Sequence, residues 1–275
     1  MDGKKICTIV GSDKGGVGKS MISLVMTLVF DNAGEPLSVV EIDNQRKLTT
    51  VLGQNRVDVS IAAAPDLAEI RRNRHAAEFL YNKVYVEWAR RNSVTDLGAN
   101  VTTSLMSWFR ECDICELAAE DDIHFRFVAC ASPDEQAIKS AVSAIESASV
   151  LGPSAEHFVV LNDLSGSSGF SPFEQHPSYL DLLDLRRKGI VKIIEIPYCD
   201  SLLLDYGKAR GLNPLQAVRH YEDIATDAGL DAVTARIHKK KMMKWLRDVQ
   251  NALTPLLIVE QPAPHHGPEA AANIR

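Results

Sequence analysis

The run Gly-Ser-Asp-Lys-Gly-Gly-Val-Gly-Lys-Ser at residues 11–20 follows the apolar stretch Ile6-Cys7-Thr8-Ile9-Val10 and precedes a second apolar stretch that starts at Met21. So many glycines disfavour both helix and strand, which makes the segment a loop between a strand and a helix. Glycines let successive main-chain N–H groups converge on an anion, and the start of the next helix adds its dipole. In that setting Lys19 neutralises the outer phosphate oxygens and Ser20 offers a hydroxyl to magnesium. The usual phosphate-loop spacing asks for glycine at position 13. This chain has Asp13 there, and a second lysine, Lys14, stands ahead of the glycines.

The rest of the chain repeats the strand-then-helix rhythm. Leu37–Ile42, Phe125–Cys130, Phe158–Leu161 and Ile190–Ile196 have strand length and are mostly continuously apolar. That pattern suits parallel strands covered on both faces. Between them, Lys19–Ala33 is apolar nearly all round and predicts a deeply packed helix. Glu135–Ala148 places Ala137, Ile138, Ala141, Val142, Ile145 and Ala148 on one face, behind the helix-start residues Ser132-Pro133-Asp134. Asp66–Arg91 predicts a long, charged, partly exposed helix, and Ser104–Ala119 a further one. The alternation implies an α/β fold with a doubly wound, mostly parallel sheet, helices on both faces, and ligands at the carboxyl ends of the strands.

With 275 residues, 45% of them hydrophobic, one large domain is expected over residues 1–260, followed by a disordered proline- and alanine-rich tail over 261–275. Gly166–Pro177 is expected as a turn-rich surface loop. A net charge of -6 excludes a polyanion binder that uses its whole surface, so any nucleic-acid contact must come from a local patch. No stretch reaches the ~18 apolar residues of a membrane span. The short apolar run after Met1-Asp2-Gly3-Lys4-Lys5 is not built as a signal peptide, and five cysteines without such a signal point to a reducing cytoplasm.

Lys14-Gly15-Gly16-Val17-Gly18-Lys19-Ser20 resembles the deviant Walker A box, KGGxGK[ST], of the ParA/MinD ATPases. The resemblance implies a P-loop fold that binds Mg-ATP through Gly15, Gly16, Val17, Gly18, Lys19, Ser20 and Met21. It also implies slow, partner-stimulated hydrolysis in an ATP-bridged homodimer. Lys14 is then the residue that crosses to the partner's ATP, and Lys14, Lys19 and Asp43 form the catalytic group. A second box, Glu41-Ile42-Asp43-Asn44-Gln45-Arg46-Lys47-Leu48-Thr49, is similar to the family's D-x-D-P-Q-x-x-L-T, with Glu41 for the first aspartate and Asn44 for the proline. Asp43 is placed to orient the attacking water and to help hold magnesium. In a third box, Ser93–Asn100, Asp96 is the further magnesium contact and the Gly98 N–H is the sensor of the γ-phosphate. Ser20, Asp43 and Asp96 thus make the magnesium set, the two aspartates directly or through water. Further along, Asn162 and Pro197 stand where relatives contact the adenine.

Arg236–Leu253 reads as a basic amphipathic helix, with Ile237, Met242, Trp245, Leu246, Val249 and Leu253 on one face. Arg236, Lys240, Lys244 and Arg247 gather on the other as candidate contacts for non-specific DNA. The reading that follows is a partition or positioning ATPase, cytoplasmic and nucleoid-associated, with an adaptor or activator protein. Two alternatives stay open: an ATP-gated protein-interaction module of a conjugal-transfer or regulatory system without DNA, and a metal or cluster chaperone using Cys112 and Cys115.

Overall fold

The computed structural model describes residues 4–62, 72, 74–164, 166 and 169–257. The expected tail from Gln261 onward, the first part of the Asp66–Arg91 segment and part of the Gly166–Pro177 loop lie outside them.

Seven strands form one sheet: β1 (Lys5–Gly11), β2 (Ser38–Ile42), β3 (Val59–Ile61), β4 (Ser93–Leu97), β5 (Ile123–Ala131), β6 (Glu156–Asn162) and β7 (Lys192–Ile196). Their spatial order is β3-β2-β4-β1-β5-β6-β7, and every pairing is parallel. The expected doubly wound α/β architecture is present. Strand order reverses around β1, which puts the loop that follows it at the switch point, where such sheets bind ligands.

The helices are α1 (Lys19–Ala33), α2 (Lys47–Leu52), α3 (Arg74–Arg90), α4 (Thr102–Glu111), α5 (Ile114–Glu120) and α6 (Glu135–Ala148). They continue with α7 (Pro177–Arg187), α8 (Leu202–Ala209), α9 (Pro214–Arg219), α10 (Tyr221–Asp227), α11 (Ala232–Ala252) and α12 (Thr254–Leu257). One face of the sheet is covered by α3 to α7. There Trp88, Trp108, Phe109 and Phe125 interlock with ring centroids 5.1–6.3 Å apart. The other face carries α1 and α8 to α12, packed on Val10, Val39, Val94, Val128 and Phe158. Residues 22–27 of α1 are all buried, as its nearly uniform apolar character predicts.

The structure corrects several expectations. The short edge strand β3 goes beyond the apolar runs visible in the sequence, whereas β4 forms within the third box, ending just past Asp96. Strand β7 starts at Lys192, and Ile190 lies outside it, largely exposed. The described part of the long charged helix, α3, sinks Tyr81, Val84 and Trp88 completely into the core. Ser104–Ala119 is two helices, because Asp113 adopts φ 50 and breaks the chain between α4 and α5. On α11, Ile237 is not on the packed face; it is 48% exposed. Among the described residues, no helix is long and apolar enough to cross a membrane.

Candidate functional site

A cavity of about 700 Å³ opens at the carboxyl ends of the strands, within the ~300–1,000 Å³ typical of small-molecule sites. Gly15, Gly16, Gly18, Lys19, Ser20 and Met21 form one wall, and Asp43 and Gly98 stand opposite. Helix α1 begins with Met21 and Ile22 donating to the Gly18 carbonyl at 3.0 and 3.1 Å. The amides ahead of them are those a helix start leaves without intrahelical partners, which makes this wall an anion cradle. Gly18 sits at φ 98, and a Cβ there would lie 2.1 Å from the Asn162 amide nitrogen, so only glycine fits.

The Lys19 side chain curls back across the loop, its Nζ donating to the Lys14 carbonyl at 2.8 Å. Burial is the largest influence on this amine and lowers its pKa; Cys130, Asp96 and Asp43 oppose that shift. Lys14 leans away from the loop toward the start of α6, with Nζ 3.2 Å from Gln136 Oε1 and 3.7 Å from Asp134 Oδ1. Its N–H donates to Ser140 Oγ at 3.1 Å. Asp13, at the position where a glycine is usual, accepts from Thr103 Oγ1 at 3.0 Å and ties the loop to α4. Val17, expected around the phosphates, is 1% exposed and packs into the core; its side chain does not line the cavity.

Two carboxylates flank the anion wall. Asp96 is fully buried in β4, in register with Val10 of β1 and Glu41 of β2. Its Oδ1 accepts from Ser23 Oγ at 3.1 Å, while Oδ2 is buried without a hydrogen-bond partner. Burial raises its pKa from 3.8 to about 7; the neighbouring Glu41 pushes the same way, and the Ser20 and Ser23 hydroxyls and Lys19 resist. Asp43 follows β2 and is 6% exposed, with Oδ1 accepting from Gln45 N at 3.2 Å. Among the described residues, no three His, Cys, Asp or Glu side chains converge as a self-sufficient metal cage. Magnesium does not need one, since it is held by one or two carboxylates, waters and substrate phosphates. The orphaned Asp96 Oδ2, the Ser20 hydroxyl beside it and Asp43 across the cavity fit that donor set.

Glu41 takes a part that the family resemblance does not give it. Its carboxylate accepts from Leu48 N at 2.6 Å, from Thr49 N at 3.2 Å and from the Thr49 hydroxyl. It therefore caps the N-terminus of α2 from a neighbouring strand. That bond network holds in place the short helix whose Lys47, Thr50 and Val51 form part of the cavity wall.

Three sequence expectations change at atomic detail. The Gly98 N–H is not turned toward a phosphate; it donates to the Ile42 carbonyl at 2.8 Å. Glycine is required there for another reason, because a Cβ would stand 2.7 Å from Asp43 Oδ1 and 3.1 Å from the Asp43 Cα. Pro197 is not among the cavity-lining residues, and its carbonyl accepts from Trp245 Nε1 at 2.8 Å. Asn162 does line the cavity, but its amide nitrogen donates to the Val17 carbonyl at 3.2 Å, which leaves Oδ1 as its acceptor.

The far wall is not visible in the sequence as any motif: Leu164, Leu204, Lys208, Gly211, Leu212 and Trp245. These residues come from the segment after β6, from α8 and its following turn, and from α11, and only the folded chain unites them. Elsewhere, Arg236, Lys240, Lys244 and Arg247 are exposed along α11; Arg236 Nε donates to the Ala232 carbonyl at 3.3 Å and Lys244 Nζ stands 3.5 Å from Asp248 Oδ2. Cys112 and Cys115 are half-buried against the core, with Cys115 Sγ donating to the Val150 carbonyl at 2.9 Å.

No protein-family model matches the chain, and no curated protein does. Solved structures do. The MinC:MinD cell division protein complex of Aquifex aeolicus is similar at 14% identity and TM-score 0.45, over 90% of this chain and 96% of that one. Apo McdA of Cyanothece is similar at 12% identity and TM-score 0.47, over 90% and 99%. A plasmid partition protein from Borrelia burgdorferi is similar at 13% identity and TM-score 0.43, over 71% and 90%.

Proposed function

We propose that the cavity binds Mg-ATP and hydrolyses it, and that the hydrolysis times an association between copies of the chain. One observation carries the reading. A glycine cradle with Lys19 and Ser20 shares a cavity with Asp43, and Asp96, buried close to Ser20 and Lys19, keeps one oxygen without a hydrogen-bond partner. Magnesium, when bound, neutralises the outer phosphates and lowers the barrier to water attack. Around it, the amides of residues 15–20 cradle the phosphates. Ser20 and Asp96 hold the ion, Asp43 orients the water, and Lys19 reaches the γ-phosphate after leaving the Lys14 carbonyl. Asn162 Oδ1 is an acceptor suited to an exocyclic amine such as that of adenine.

Lys14 stabilises charge on a second copy's ATP, so that nucleotide bridges two chains face to face. Its side chain is directed away from its own phosphate loop, which supports this; Gln136 and Asp134 on the α6 side are partners it must exchange for the phosphates. The row Arg236, Lys240, Lys244 and Arg247 supports DNA retention by the dimer, in the manner of a partition or positioning ATPase with an adaptor that stimulates turnover. A second reading, an ATP-gated protein contact without DNA, is favoured by Val233 and Ile237. These apolar side chains are 58% and 48% exposed on the same helix. No observation favours a metal chaperone.

The test of the site is Lys19→Ala, which should abolish ATP binding in a calorimetric titration; unchanged affinity would remove the phosphate assignment. Gel filtration with and without ATP, repeated with DNA, separates the two readings of the output. DNA co-elution only with ATP selects the first reading, and ATP-dependent dimers without DNA select the second.

A further inference from the structure

Trp245 lines the cavity from the β7 flank of the sheet, through its bond to Pro197, whereas Asp43 and Gly98 follow β2 and β4 on the other side of β1. Trp245 is 7% exposed and lines the space together with Leu204, Leu212 and Lys208. Its only polar atom, Nε1, donates to the Pro197 carbonyl at 2.8 Å. That bond ties the indole to the end of β7 and uses up its hydrogen-bonding capacity. What remains for a ligand is the apolar carbon surface of the indole, from which a phosphate or a sugar hydroxyl gains little. A planar heterocycle gains stacking or edge contact.

Resting on the proposed function above, we propose that Trp245 is the base-contact residue of the cavity, the wall that makes it select a purine nucleoside triphosphate over a bare polyphosphate. The anion cradle holds both ligands equally; only the nucleotide reaches the indole.

The sequence supplies its own reporter. Of three tryptophans, Trp88 and Trp108 are 0% and 2% exposed in the aromatic cluster on the opposite face of the sheet. Trp245 is the one that lines the cavity. Ligand-dependent tryptophan emission therefore reports on the base end.

The experiment uses the full chain, Mg-ATP and inorganic tripolyphosphate. ATP should change tryptophan emission, and tripolyphosphate should displace ATP while leaving emission unchanged. Trp245→Phe keeps an aromatic wall; it should lose the signal and hold ATP within about threefold of wild type. Trp245→Ala should weaken ATP ~10- to 100-fold, the range of one base–aromatic stack, with tripolyphosphate affinity unchanged. ATP binding with no change in emission would overturn the inference and leave the phosphate site standing. So would equal weakening of both ligands in Trp245→Ala. Failure of the wild type to bind either ligand would overturn the phosphate site and this inference together. If Trp245→Ala does not fold, the emission and Trp245→Phe results decide alone.

Discussion

Asp96 makes the strongest quantitative demand on the molecule. Its carboxyl is fully buried, and burial raises its pKa from 3.8 to about 7. Between those two values the folded chain keeps the proton that the unfolded chain has released. A carboxylate with a raised folded pKa contributes stability that is complete below the unfolded pKa and is lost as pH climbs through the folded one. At about 1.4 kcal/mol per pH unit, the interval is worth ~4 kcal/mol. Asp96→Asn mimics the protonated acid, keeps an oxygen for the Ser23 hydroxyl, and cannot titrate. Ligand-free wild type and variant should be unfolded in urea from pH 4 to pH 9. The variant's advantage should sit at its baseline near pH 4, grow by about 1.4 kcal/mol per unit to pH 7, and level off above. The same variant should lose magnesium-dependent ATP affinity. A difference between the two proteins that stays flat with pH would refute the reasoning, because Asp96 would then be ionised and solvated in the folded state.

Gly98→Ala forces a Cβ against both the side chain and the Cα of Asp43, so thermal unfolding should show a loss of about 1–3 kcal/mol. Turnover should fall with it as Asp43 is displaced; an unchanged melting temperature would mean that the two strand ends can separate at no cost. Lys14→Ala should leave single-chain ATP binding intact while dimer-dependent turnover drops ~10³-fold, read by phosphate release against protein concentration. Replacing Arg236, Lys240, Lys244 and Arg247 with alanine should flatten the salt dependence of any ATP-dependent DNA retention, by ~0.9 in log–log slope for each phosphate that is no longer neutralised. A slope unchanged by all four substitutions would place the DNA elsewhere.

The phosphate loop is legible in the sequence because everything it needs is local: a strand, glycines and a helix start within fifteen residues of one another. The parallel sheet is legible for a similar reason, since strands covered on both faces leave continuous apolar runs. Strand β4 is faint because its burial is polar. Ser93, Thr95 and Asp96 are all buried, and Thr95 Oγ1 accepts from Trp88 Nε1 at 2.9 Å, a partner from helix α3. Asp43, Lys19, Ser20 and Asn162, far apart in the chain, line one cavity, with Asp96 buried close to Ser20 and Lys19. Motif and structure part where backbone direction decides the role. The Gly98 N–H and the Pro197 carbonyl are both taken by other parts of the chain, and a motif does not reveal that. Trp245 belongs by periodicity to a packing face, because helical periodicity records which face is apolar and cannot record that the face borders a cavity.

Helix α11, at 21 residues, is a stiff rod ~30 Å long. Three bonds rivet it to the stretch of chain that leaves β7: Trp245 Nε1 to the Pro197 carbonyl, Lys241 Nζ to Asp200 Oδ2, and Ser201 Oγ to the His238 carbonyl. Rod and stretch must therefore travel as one body. A ligand that shifted the indole would then shift the cations on the outer side of the same rod as well.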